Sequence, residues 1–179
     1  MKTTALKRIL CGGLVALAFA ALASANPAFA GRWRLDTAHS SALDGWSDMD
    51  LVIALDGSKV ALTHDMQWRA TKFVATNTCD TTRPVDQQHY FRVEQRHMAI
   101  YAAKNGVTHA QASWIDGGRT LRLEVETPVE VSQGDVPMRI YSEYRLGELG
   151  DTLTLVELHS SRNRPLVYVF HKVKGEKNK

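Results

Sequence analysis

The feature that most limits what this 179-residue chain can become is its turn punctuation. Asp56-Gly57, Asn105-Gly106, Asp116-Gly117-Gly118 and Gly147-Glu148-Leu149-Gly150 each separate runs rich in β-branched, aromatic and aliphatic residues. Asn-Gly and Asp-Gly supply the positive φ angles that tight two-residue hairpins demand. The runs between them cover residues 49–55, 59–68, 96–103, 107–115, 119–131, 138–146, 152–160 and 166–173, with shorter pieces at 33–36 and 72–76. Beyond residue 30 no segment carries helical periodicity. Several runs alternate instead. Leu121, Leu123 and Val125 fall on one face, and Thr120, Arg122, Glu124 and Glu126 on the other. In 138–146 the inward set is Met138, Ile140, Tyr144 and Leu146, opposite Arg139, Glu143 and Arg145. A sheet with one core face and one wet face follows.

The pattern predicts an all-β chain, a single antiparallel up-and-down meander of about 8–10 strands that removes its edges by closing into a barrel. A two-sheet sandwich stays open as an alternative. The polar stretch 77–88 reads as a loop, long enough to carry a crossover between sheets.

Charge has to be read by position. The chain holds 22 Lys+Arg and 19 Asp+Glu, a net charge of +3, but from Gly31 onward the two signs balance at 19 each. A neutral body does not suit a nucleic-acid binder. The excess is Lys2, Lys7 and Arg8, followed by an apolar run over residues 9–23 and then Pro27 and Ala28-Phe29-Ala30. That is the layout of a secretory signal peptide over residues 1–30, cut after Ala30, with Ala23-Ser24-Ala25 as a second cleavage site. The competing reading is an uncleaved anchor, but the run is shorter than the ~20 residues a spanning helix needs. The expected mature protein is one soluble domain over residues 31–173 with a basic tail at 174–179, in the periplasm or outside the cell.

Export gives cysteine use a meaning. After the cut one thiol is left, Cys79, which cannot close a disulfide within the chain. It is a buried small hydrophobe, the seam of a disulfide-linked dimer, or a reactive thiol. Asp80 beside it disfavours the thiolate.

The opening Gly31-Arg32-Trp33-Arg34-Leu35-Asp36, followed by Ser40-Ser41, carries a Gly-x-Trp at the head of the first strand. With Asp116-Gly117-Gly118-Arg119-Thr120-Leu121 and the late hairpin of 153–156 and 167–173, it resembles lipocalins and other calycin barrels, in particular small exported bacterial lipocalin-like proteins. The resemblance implies that Trp33 plugs one barrel end and that a late arginine, Arg162 or Arg164, lies across it. It also implies departures. With Gly31 first after the cut, the short helix that precedes the signature is missing, and no disulfide ties the barrel. The tryptophan set of avidin-type barrels is not reproduced, since Trp46, Trp68 and Trp114 stand in other contexts.

Motifs with their own chemistry are scarce. His39, His64, His89, His97, His109, His159 and His171 are scattered without metal-ligand spacing, so neither a metal nor another cofactor is expected. His64 and Asp65 point to opposite faces of a strand and form no dyad. Glu124 and Glu126 share a face with Arg122, which reads as a solvated charged row. No nucleophile elbow, phosphate loop or dinucleotide fingerprint occurs.

What is left is the barrel interior, which in small barrels is either filled or holds one ligand. The expected lining is Leu62, His64, Met66 and Trp68 from one strand, Trp114 beside the small Ala110 and Ala112, and Met138, Ile140 and Tyr144. A packed core would use the same residues. The leading expectation is an exported barrel that binds or carries a small apolar molecule. The alternative is a cell-envelope interaction protein with a packed barrel, working through the surface at Cys79 and 77–88. A barrel enzyme is a third reading, for which no residue set argues.

Overall fold

The computed structural model describes residues 25–41, 48–92, 100–101, 106–131 and 134–174, without the side chains of residues 68, 100, 101, 130 and 131. Most of the expected signal peptide, Trp46, most of the run 96–103 and the tail 175–179 lie outside the described residues. The strands are β1 (Gly31–Leu35), β2 (Asp48–Asp56), β3 (Lys59–Trp68), β4 (Thr71–Asp80), β5 (Val85–Gln88), β6 (Phe91–Arg92), β7 (Ile100–Tyr101), β8 (Val107–Ile115), β9 (Thr120–Val131), β10 (Gly134–Leu146), β11 (Thr152–His159) and β12 (Leu166–Lys172).

Ten of these form one antiparallel sheet in the order β4-β3-β2-β1-β12-β11-β10-β9-β8-β5. Strands adjacent in this sheet are consecutive in sequence except where β1 meets β12, with Trp33 opposite Lys172, and where β8 meets β5. The β1–β12 pairing joins the two ends of the meander, and the sheet curls into a nearly closed barrel. The remaining seam lies between β4 and β5. A side-chain bond bridges it, the Thr78 amide donating to Gln87 Oε1 at 3.4 Å. The β6–β7 pair stands apart as a separate two-stranded sheet.

The turn chemistry works as the residue types dictate. Gly57 (φ 58°) and Gly117 (φ 64°) take the left-handed conformation at the β2–β3 and β8–β9 turns. One expected loop is a strand: β4 runs through Asn77-Thr78-Cys79-Asp80, paired with Lys59–Leu62 of β3. Its residues have weak strand propensity, but the neighbouring strand satisfies their backbone, which propensity alone does not weigh.

Alternation delivers the core. Trp33, Leu51, Leu62, Leu121, Leu123, Leu153, Tyr168 and Phe170 are all fully or almost fully buried. On the outer face, Arg32 and Arg34 grip Asp50 at 2.9 Å each. Glu143, expected on the wet side, is on the outer face but only 7% exposed, because Tyr141, Arg145 and Arg122 close over it. The Tyr141 and Arg145 bonds lead in pulling its carboxyl down to about 2.

One barrel end is shut by aromatic rings. A 3-10 turn over Pro27–Phe29, capped by the Asn26 side chain, precedes β1. In the full chain a short 3-10 turn therefore does precede the signature, built from residues that a cut after Ala30 would remove. Phe29 is 0% exposed and meets Trp114 edge-on, with centroids 4.9 Å apart. Trp33 Nε1–H donates to the Phe29 carbonyl at 2.8 Å. The cation over Trp33 is Lys172, with Nζ 4.8 Å from the ring centroid and donating to the Ala28 carbonyl. This corrects the expectation of Arg162 or Arg164. Both precede the start of β12, whereas Trp33 pairs with its end, roughly 25 Å away along an extended strand.

Candidate functional site

The interior changes character along the barrel. Near the plug it is apolar. Towards the other end it gathers polar groups: His64, Asn77, Arg92, Ser142 and His159 are all buried. An enclosed void of about 20 Å³ lies among them, lined by Met49, His64, Asn77, Tyr90, Phe91, Arg92, Ile140, Tyr144, Leu155, Glu157 and Tyr168. That is room for about one water.

Parity explains how the strands aim these groups. His64 shares an inward face with Leu62 and Met66 on β3, and stands opposite Leu51 and Ala75. Glu157 follows Leu153 and Leu155 inward on β11, and Ser142 opposite it donates to its Oε2 at 2.9 Å. The other Glu157 oxygen is 2.6 Å from His159 Nε2. This carboxylate inside the barrel is therefore held from two sides.

His64 is held less completely. It is 7% exposed, and its Nδ1 meets no hydrogen-bond partner among the described residues. Burial pushes its pKa down to about 4, against a smaller opposing pull from Glu157. The ring is therefore neutral at pH 7, with one nitrogen idle. Most buried polar atoms are paired, and an exception calls for an explanation.

The segment after β5 reaches into this space. His89 takes a left-handed φ of 55° and turns the chain inward. Tyr90, Phe91 and Arg92 are 7%, 1% and 6% exposed. Phe91 packs on His64 at 5.0 Å and on Phe73 at 5.3 Å between centroids. Asn77 holds its backbone, accepting from the Phe91 amide at 2.9 Å and donating to the Phe91 carbonyl at 2.7 Å. Arg92 Nη1 reaches Met138 Sδ at 3.5 Å.

Of the expected lining residues, His64, Ile140 and Tyr144 meet at the void. Leu62 and Met66 pack in the core beside it, and Met138 contacts Arg92. Trp114 does not line that void; its ring meets Phe29 at the plug. The Trp68 side chain lies outside the described residues. Sequence reading missed Asn77, Phe91, Arg92, Glu157 and Tyr168. A signal existed for two of them, since Glu157 and Tyr168 share the parity of Leu155 and Phe170 on their strands.

Cys79 is 0% exposed on β4, and burial raises its thiol pKa to about 11. A dimer bridged through it is ruled out in the folded state, because the sulfur cannot reach a second copy. The stretch 77–88 is likewise not one surface loop. Among the described residues no three potential ligands converge to hold a metal ion. A larger concavity lies outside, a groove of about 570 Å³ over β8–β11, flanked by His109, Glu124, Glu126, Arg139, Tyr141 and Leu158.

No protein-family model matches the chain, and no curated protein does. Solved structures do match. A Schistosoma mansoni fatty acid binding protein in complex with arachidonic acid aligns with a TM-score of 0.51 at 8% identity, over 84% of this chain and 100% of that one. The secretory abundant heat soluble protein 4 of Ramazzottius varieornatus gives 0.52 at 8% identity, over 84% and 98%. At such identity the likeness is one of fold. The shared fold is a nearly closed antiparallel β-barrel.

Proposed function

We propose that the protein is an exported lipocalin-like barrel that binds a small, largely apolar molecule inside. The observation that carries this reading is the buried polar cluster beside an apolar wall, with His64 Nδ1 idle at its centre. Ligand sites combine a mostly apolar lining with a few polar groups that fix orientation. The water-sized void means that a ligand enters only if Tyr90, Phe91 and Arg92 give way. Support for export comes from the basic start and apolar run of residues 1–23. A cut after Ala25 fits this reading better than one after Ala30, because it leaves Phe29 in the barrel.

The test is native mass spectrometry of the full chain recovered from its own host, paired with Trp fluorescence titrations of the purified protein with apolar probes. A retained small molecule, or saturable quenching, is expected. Bare protein in the first and no saturation in the second would refute the carrier reading.

The outer groove favours a second reading, an envelope interaction protein. It predicts a crosslinked partner that survives changes at His64 and Tyr144 but is lost on changing Tyr141 and Leu158.

A further inference from the structure

We infer that the ligand subsite of the barrel is the place now held by Phe91, and that it takes a ring-bearing apolar molecule with an adjacent amide-type donor and acceptor. The inference rests on the carrier reading above and sharpens it to a class of ligand.

Phe91 belongs to β6, outside the ten-stranded sheet, yet it is among the most deeply buried side chains. Its ring lies between His64 and Phe73, and its own N–H and C=O are both taken by one side chain, Asn77. Asn77 is 2% exposed on an inward position of β4. A buried primary amide is costly unless its donor and acceptor are both matched. Here the matching group comes from a segment that is not part of the barrel wall. Phe91 thus sits as a bound molecule would: a ring in an aromatic slot and an amide against an amide.

Beside Phe91 the described residues leave a void of about 20 Å³. His64 Nδ1 has no hydrogen-bond partner among the described residues, and the void beside it reaches Tyr144 and Glu157. A ring-bearing amide in place of Phe91 keeps both Asn77 bonds and, reaching into the void, supplies His64 with the partner it lacks. A fatty carboxylate does neither as well. It offers Asn77 acceptors only, leaving Oδ1 unmatched, and adds a negative charge to a space that already holds Glu157. Arg92, the cation of this region, is engaged with Met138. Ligand binding and burial of Phe91 are mutually exclusive, so the folded chain competes with its own ligand.

Isothermal calorimetry on the full chain tests this, using N-acetylphenylalaninamide and dodecanoate on wild type, Phe91→Ala and Phe91→Leu. Removing the ring weakens the occupant's hold, although the residue-91 backbone can still reach Asn77, and so raises the population able to bind; Phe91→Ala should bind the amide at least about tenfold more tightly than wild type. Phe91→Leu, which keeps most of the volume, should fall between and carries the comparison if Phe91→Ala does not fold. Adding Asn77→Leu should erase the preference for the amide. Equal amide affinity in wild type and the Phe91 variants overturns the inference. So does a preference for dodecanoate in those variants, which would leave the carrier reading standing. No binding of either probe to any variant overturns both.

Discussion

Replacing Phe29 with alanine tests how the barrel end is sealed. The side chain is fully buried, lies edge-on against Trp114 at 4.9 Å, and precedes the carbonyl that accepts from Trp33 Nε1. Emptying such a site costs the transfer energy of the ring plus a cavity term, about 3–5 kcal/mol for Phe→Ala. Roughly 1 kcal/mol of that is the edge-to-face contact. The backbone bond to Trp33 survives the substitution, so the loss is one of packing alone. For a domain of this size each kcal/mol moves Tm by about 2–4 °C, and the expected drop is on the order of 10 °C. Deleting residues 26–30 also removes the carbonyl partners of Trp33 and Lys172, and should cost more than the point substitution. The assay is urea unfolding followed by Trp fluorescence and far-UV circular dichroism on chains beginning at Asn26. A loss below about 1 kcal/mol for Phe29→Ala, a surface-like value, would refute the plug.

Three other outcomes follow from the same packing. If the proposed export holds, intact mass of the protein from its host should correspond to a chain beginning at Asn26; a Gly31 start would show that the barrel end is sealed without the 3-10 turn. Cys79 should resist a thiol reagent in the folded protein and react only at the rate of unfolding, and prompt labelling would contradict its burial. The folded-state pKa of His64, about 4, lies below its ordinary value of 6.5. The unfolded chain therefore binds the proton more readily between those values, and stability should fall as pH drops from about 6.5 to 4, by about 3 kcal/mol from this group. His64→Leu should flatten that limb in urea melts, and an unchanged limb would assign it to other groups.

The hairpin positions and the wall of the barrel were legible in the residues because both are local. Asp56-Gly57 and Asp116-Gly117 encode their turns, and a period of two assigns Leu121, Leu123 and Val125 to the inside without reference to the rest of the chain. β3 and β8 carry the predicted bounds for that reason. β4 beyond Thr76 was not legible. Asn77, Thr78 and Asp80 look like loop residues until β3 lies beside them to take their backbone bonds. Glu143 shows the same limit in another form: parity put it outside, but its burial depends on three side chains from β9 and β10.

The candidate site divides in the same way. His64, Ile140 and Tyr144 point inward by parity, and parity was enough to name them. Trp114 also points inward, but only the fold shows that it faces Phe29 at the plug rather than a ligand. Lys172 in place of Arg162 or Arg164 over Trp33 follows from which end of β12 pairs with β1. The sequence determined a neutral barrel wall whose inner face includes His64, because alternation and turn residues act over a few positions. Only the tertiary structure decided that Phe91, from a strand outside the wall, fills the space between His64 and Asn77, because that contact joins residues far apart in the chain through a side-chain amide that no local pattern announces.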